Sequence, residues 1–283
     1  MPDVLIYGDT VRSPELRHEV PLMIGDPFFY AERDGKQTLV ISAMEMPRVR
    51  EVAPHLELLP PEDFGQDDLV AEGAMSHYEI PLEIAVRATR KLGIENAKVP
   101  AAFPIELADR LRAEGIVLEP DREFFAQRRR VKNEEELAGI RRAQKAADAG
   151  MRAAVELLRA ATPNGGGLEV DGEPLTVERV KRAIADKFAD HGCVADEFIV
   201  SHGPQSAVGH DMGSGEIKSG EPIVIDLWPR DRETGCHADM TRTYCVGEPP
   251  EELAEYHRLV KQALDEAIAA VRGGASGHEL YRA

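Results

Sequence analysis

Hydrophobic positions along this chain follow two rhythms. In the first part, short apolar runs alternate with amphipathic stretches. Val4-Leu5-Ile6-Tyr7 predicts a strand. Phe28-Phe29-Tyr30 and Thr38-Leu39-Val40-Ile41 flank Arg33-Asp34-Gly35-Lys36 and predict a hairpin, because Asp-Gly accepts the backbone of a tight turn. Val49, Val52 and Leu56 form a weaker helical repeat. Ile84 to Leu92, stopped by Gly93, and Leu107 with Leu111, stopped by Gly115, predict helices with glycine ends. Val99 and Ile116-Val117-Leu118 begin further strands. Strands alternating with helices predict a layered α/β domain over residues 1–127.

From residue 128 the helical period takes over. Asn133 is placed to cap a helix, and Glu136 completes a capping-box pair. Glu134, Glu135 and Glu136 suit the positive end of the helix dipole. Leu137, Ile140, Ala147, Met151 and Leu158 fall on one stripe, so the helix is predicted to run to about Ala160, before Pro163. Residues 162–174 read as a loop. Its glycines lack the lysine and the helix context of a phosphate loop. Val177, Val180, Ile184 and Phe188 predict a second helix with Gly192 as its stop, and Phe198-Ile199-Val200 a strand. Pro249-Pro250 and Glu251-Glu252 open a last long helix with Leu253, Val260, Leu264, Ile268 and Val271 on one face. Gly273-Gly274 close it, and residues 275–283 begin another.

Charge narrows the classes of partner. Thirty-four basic and 51 acidic side chains give a net charge of −17. Nucleic acids and anionic membranes call for clustered Lys and Arg, so neither is expected. Arg128-Arg129-Arg130 is too short to reverse this and reads as a solvated cluster at a helix entry. Three cysteines without framework spacing point to a reduced, cytoplasmic setting. No basic, apolar leader opens the chain, and no run reaches the roughly 18 apolar residues of a membrane span.

Candidate chemistry gathers between Ile223 and Gly247. Ile223-Val224-Ile225 ends in Asp226, and Asp239 opens the returning run Met240 to Val246. A hairpin there would bring two carboxylates within reach of one or two shared cations; the alternative is a pair of turn-capping acids. His210 and His202 precede the hairpin in a polar loop, and His237 stands two positions from Asp239. His210 is a candidate to donate to a carbonyl or move a proton, His202 to do the same or merely to shape the loop, and His237 to be a ligand or a substrate contact. His18, His55 and His77 are isolated and read as surface or structural residues.

The order GPQSAVGH, IVID, ADMTRTYCVGEPPEEL resembles the pita-bread metallopeptidase family, which includes aminopeptidase P, prolidase and methionine aminopeptidase. The helix entry RRRVKNEEELAGIRRA resembles the domain join of aminopeptidase P and prolidase. The resemblance implies an α/β (α+β) chain: a creatinase-like N-terminal domain, 1–127, followed by a pita-bread catalytic domain, 128–283. It implies Asp226 and Asp239 as ligands of two divalent metal ions, with manganese first and cobalt or zinc as alternatives. It also implies His210 as a catalytic residue, His237 and His202 as substrate contacts, a proline-containing peptide as substrate, and a homodimer. The family's other ligands, a histidine and two glutamates, stand on later strands that have no counterpart here. The expectation is therefore an incomplete catalytic domain, inactive by itself, in a parent Xaa-Pro peptidase. Trp228 replaces a family glycine, the turn between the acids is longer, and Cys236 stands where tyrosine is common. A creatinase-like amidinohydrolase and a non-catalytic peptide-binding module are the competing readings.

Overall fold

A computed structural model describes residues 2–283 and divides them into two compact units. The first holds the residues through Arg141 together with Asp231–Cys236. The second holds Arg142–Arg230 and His237–Ala283. The cut falls inside the helix Glu134–Ala160.

The first unit is built on a six-stranded sheet, in the order β4-β3-β2-β1-β5-β6. Its strands are β1 (Val4–Gly8), β2 (Phe28–Arg33), β3 (Lys36–Val40), β4 (Glu57–Leu59), β5 (Asn96–Val99) and β6 (Val117–Pro120). β1, β2 and β3 pair antiparallel, while β3–β4, β1–β5 and β5–β6 are parallel. The predicted hairpin is present, with Asp34 and Gly35 both in the left-handed region, as a primed turn requires. Helices α1 (Pro14–Glu19), α2 (Met46–Val52), α3 (Gln66–Glu72), α4 (Glu79–Lys91), α5 (Ile105–Ala113) and α6 (Arg122–Arg128) connect the strands. Leu5, Phe29 and Val40 pack with Ile84, Leu107 and Leu111 in one core. Val4, Ile6, Tyr30 and Leu39 pack with Leu16 and Val49 in another. Neighbouring residues of one strand thus enter different cores, which is why these strands read as unbroken apolar runs.

Of the short helices, α2 was read as a weaker repeat, while α1, α3 and α6 were not expected. Six or seven residues hold too little of a helical period to show one, and for α1 and α6 the cap is the sequence signal: Leu16 N donates to Ser13 Oγ (3.2 Å) and Phe124 N to Asp121 Oδ1 (2.9 Å). Two further readings are corrected or sharpened. Arg128 is not a solvated charge; its guanidinium is inserted between the buried carboxylates Glu19 and Glu32. His18 is structural, with Nδ1 3.1 Å from both oxygens of Glu136.

The capping box forms as read. Glu136 N donates to Asn133 Oδ1 (2.8 Å), and Asn133 N donates to Glu136 Oε2 (2.9 Å). Helix α7 (Glu134–Ala160) then runs to the predicted end. In the second unit it packs against α8 (Val177–Asp190). A Cβ on Gly150 would come within 2.9 Å of Phe188 and 3.0 Å of Ile184, so glycine sets how closely α7 and α8 approach. The expected 162–174 loop is instead a small antiparallel sheet: β7 (Thr162–Asn164), β8 (Gly167–Val170) and β9 (Glu173–Pro174). Leu168 and Val170 of β8 point into the core, an alternation that its glycine-rich flanks obscured in the sequence.

After β10 (Cys193–Val194), a three-stranded antiparallel sheet carries the candidate chemistry. Its strands β11 (Ile199–His202), β12 (Pro222–Leu227) and β14 (Met240–Cys245) lie in that order, so β14 is an edge. β13 (Arg230–Asp231) lies between β12 and β14 in sequence. Ile223, Ile225 and Leu227 face the α7–α8 core with Val200. Helix α9 (Glu251–Ala270) and α10 (Gly277–Arg282) follow. Among the described residues, no helix is long and apolar enough to cross a membrane.

Candidate functional site

The alternation of β12 decides where the first acid stands. Ile223, Ile225 and Leu227 are fully buried on one face, which leaves Val224 and Asp226, both half-buried, on the other. β12 pairs with β14 so that Asp226 is opposite Thr241 and Leu227 opposite Met240. Thr241 Oγ1 donates to Asp226 Oδ1 at 2.6 Å, which fixes the carboxylate plane. Asp239 immediately precedes β14. Period two extended back from Thr243 and Thr241 would put Asp239 on their face, diagonal to Asp226. Such positions lie about 7–8 Å apart between Cα atoms, within reach of one or two shared cations. Asp239 is exposed and makes no hydrogen bond or ion pair among the described residues.

The three histidines are placed differently from one another. His210 is exposed in the β11–β12 loop, with a left-handed backbone at φ 63°. His202 is buried at the end of β11, opposite Ile223 and therefore on the core side of the sheet. Its Nδ1 lies 2.8 Å from Glu221 Oε2 and its Nε2 3.3 Å from the Ser214 carbonyl, so both nitrogens are engaged in holding the loop. His237 is exposed, bridged to Arg230, with Nδ1 3.3 Å from the Trp228 carbonyl. Trp228 itself packs against the α7–α8 core. Among the described residues, no three His, Cys, Asp or Glu side chains gather as a metal site.

Two residues that support this region were passed over in the sequence. Thr241 is one; its spacing of two from Asp239 was the available signal. Gly213 is the other, at φ 77°, where an added Cβ would lie 1.9 Å from the Val200 carbonyl oxygen. Gly213→Ala therefore combines a left-handed backbone with a clash against β11. We expect a loss of at least about 2 kcal/mol in chemical unfolding. Gly209→Ala, in the same loop with nothing within 4 Å, is expected to change stability by less than about 0.5 kcal/mol.

Thiol chemistry is disfavoured at Cys245. Burial, reinforced by Glu248, pushes the Cys245 thiol up from its ordinary range. A nucleophilic cysteine needs the opposite shift. The carboxylates are hard oxygen donors and fit one side of an oxygen-liking divalent ion, though two ligands alone do not complete a tight site.

Comparison with known proteins bears on the fold and the family. "Probable dipeptidase PepE" of Mycobacterium tuberculosis is 28% identical over 184 residues, which cover 64% of this chain and 44% of that protein. "Xaa-Pro dipeptidase" of Pyrococcus horikoshii is 27% identical over 197 residues, 69% of this chain and 52% of that protein. The chain thus spans about half the length of these curated relatives. In fold, it is similar to the prolidase from Pyrococcus furiosus, with a TM-score of 0.70 at 20% identity over 99% of this chain and 72% of the other. The Xaa-Pro dipeptidase from Bacillus anthracis gives a TM-score of 0.72 at 16% identity, over 99% and 70%. The mixed α/β architecture is therefore that of the prolidases. The model of Metallopeptidase family M24 matches residues 138–283, which span α7, the β11–β12–β14 sheet and both acids, and the chain belongs to that family.

Proposed function

We propose that this chain carries part of the active site of an enzyme that hydrolyses Xaa-Pro peptide bonds with two divalent metal ions. Manganese is the first choice, with cobalt and zinc as alternatives. The observation that supports this most directly is the β12–β14 register, which sets Asp226 opposite Thr241, two residues beyond Asp239. When bound, the ions would supply a water of lowered pKa and polarise the scissile carbonyl. Asp226 and Asp239 would hold them, with Thr241 fixing the orientation of Asp226. His210 would move a proton or stabilise the tetrahedral oxyanion. His237 is the proposed contact to substrate, and His202 would act through the loop that it anchors. The domain boundary at 127/128, the cytoplasmic setting and homodimer formation belong to the same proposal. So does the inactivity of the 283 residues by themselves, because two carboxylates do not complete a dinuclear site.

A non-catalytic peptide-binding module is the second reading, favoured by the absence of a third clustered ligand among the described residues. The metal-free amidinohydrolase reading has no use for two carboxylates on one face. The test compares Gly-Pro with Gly-Ala as substrate for the protein as its source makes it, with and without added Mn²⁺. Manganese-dependent release of proline, with Gly-Ala cleaved far more slowly, is expected. Peptide binding without turnover at any metal concentration would favour the module instead.

A further inference from the structure

In the first unit, the connections of the sheet change direction between β1 and β5. These strands are parallel neighbours in the order β4-β3-β2-β1-β5-β6. β1 leads through α1, whose Leu16 packs with Ile6 on one face, to β2 on one side. β5 leads through α5, whose Leu107 packs with Leu5 on the opposite face, to β6 on the other side. The chain therefore parts at the carboxyl ends of β1 and β5. Such a switch point in an open α/β sheet is where a ligand crevice forms. The residue after β5 widens the gap. Pro100 has no N–H to continue a ladder, and the pairing of β1 with β5 stops at Val4 opposite Lys98. A cavity of about 230 Å³ stands at this place, lined by residues 6–9 and 12–15 and by Pro100, Ala102, Phe103 and Pro104.

We propose that this crevice binds a single amino acid with an apolar side chain, held as the zwitterion. One acid and one base meet there. Asp9 is buried; its Oδ1 accepts from Arg12 N at 2.8 Å, and its Oδ2 accepts from Arg12 Nη1 at 3.3 Å. The Arg12 side chain is 86% exposed, so its guanidinium can swing to a ligand carboxylate and leave Asp9 Oδ2 to accept from the ligand ammonium. The Tyr7 hydroxyl also lines the crevice, and no hydrogen bond engages it among the described residues. Burial pushes this phenol up, so it stays protonated and able to donate to the same carboxylate. Pro100, Phe103 and Pro104 supply apolar wall with few rotamers to freeze on binding. Size and charge exclude other classes. Sites for drug-sized ligands run from about 300 to 1,000 Å³, so this one holds about one amino acid. A phosphate is not the match. Among the described residues of the lining Arg12 is the one base, and Asp9 already balances it.

Titration of the 283-residue protein with L-proline and with L-leucine in metal-free buffer, followed by calorimetry and by amide chemical shifts, tests this. Saturable binding with a Kd of roughly 0.1–1 mM is expected, with the largest shifts at residues 6–15 and 100–104. N-acetyl-L-proline lacks the ammonium and pyrrolidine lacks the carboxylate. Each is expected to bind at least about tenfold more weakly than L-proline. Arg12→Gln is expected to weaken L-proline by at least about tenfold, and Tyr7→Phe by about 3–10-fold. Inorganic phosphate is expected not to compete. No saturation up to ~20 mM of either amino acid overturns the inference. So do shifts centred on the β12–β14 sheet, N-acetyl-L-proline binding as tightly as L-proline, competition by phosphate, or unchanged affinity in either variant. The readout uses neither metal nor turnover, so its failure is distinct from a failure of the Xaa-Pro peptidase reading.

Discussion

Arg128→Met is expected to cost the first unit about 3–5 kcal/mol, the scale for removing one partner of a buried ion pair. The guanidinium donates to Glu19 Oε1 through Nε (2.9 Å) and Nη2 (2.7 Å), and Nη2 also donates to Glu32 Oε2 (2.7 Å). The Tyr30 hydroxyl donates to Glu32 at 3.0 Å, and Gln37 Nε2 donates to the Tyr30 oxygen at 2.8 Å. Burial disfavours the charge on Arg128, but Glu19 and Glu32 outweigh burial and hold its proton more tightly than usual. Burial first, and then the two carboxylates, push the Tyr30 phenol far up, so it remains a donor throughout the working range. With methionine at 128, two carboxylates only 8% and 6% exposed face each other without their cation. Hydrogen exchange of the β2 amides is the suitable measurement, because two units need not unfold together. A loss below about 1 kcal/mol, the range of solvent-exposed pairs, would mean that the cluster is only a surface contact.

The same arginine shows where sequence reading stops. Arg128-Arg129-Arg130 looks like a surface run because its partners lie about a hundred residues away, on α1 and β2. Charge patterning reports neighbours along the chain, and no local period marks a residue that turns inward. The features that were legible have local causes: the Asp34-Gly35 turn, the Asn133/Glu136 capping box and the α7 stripe. Leu168 and Val170 were lost because two core contacts among glycines are too few to make a period. The antiparallel β12–β14 pair that carries Asp226 was legible because strand alternation and an ordered motif gave the same answer. For His202 the sequence left catalysis and shaping of the loop open, since its engagement by Glu221 and Ser214 depends on how the β11–β12 loop folds back. The α9 stripe was read correctly as an apolar face, but a period says only that a face is apolar and not what covers it.

Asp226→Asn and Asp239→Asn carry the sharpest consequence for function. In a form of the protein that turns over Xaa-Pro peptide, each is expected to lower turnover by at least about a thousandfold. That corresponds to the several kcal/mol that metal assistance ordinarily contributes. Asparagine keeps the shape and an acceptor oxygen, so the bond from Thr241 to residue 226 can persist and melting is expected to change little. The charge is what disappears, and with it the attraction of the site for a divalent ion. Manganese titration followed by calorimetry should therefore weaken in parallel with turnover. Thr241→Val leaves the charge but frees the carboxylate to rotate, and a smaller loss, about 10–100-fold in metal affinity, is expected. The order matters more than the absolute values: both asparagine variants below Thr241→Val, and Thr241→Val below the parent. Turnover equal to the parent in Asp226→Asn would sink the metal role of that acid. It would leave the family assignment untouched, because that rests on the match over residues 138–283 and not on any one carboxylate.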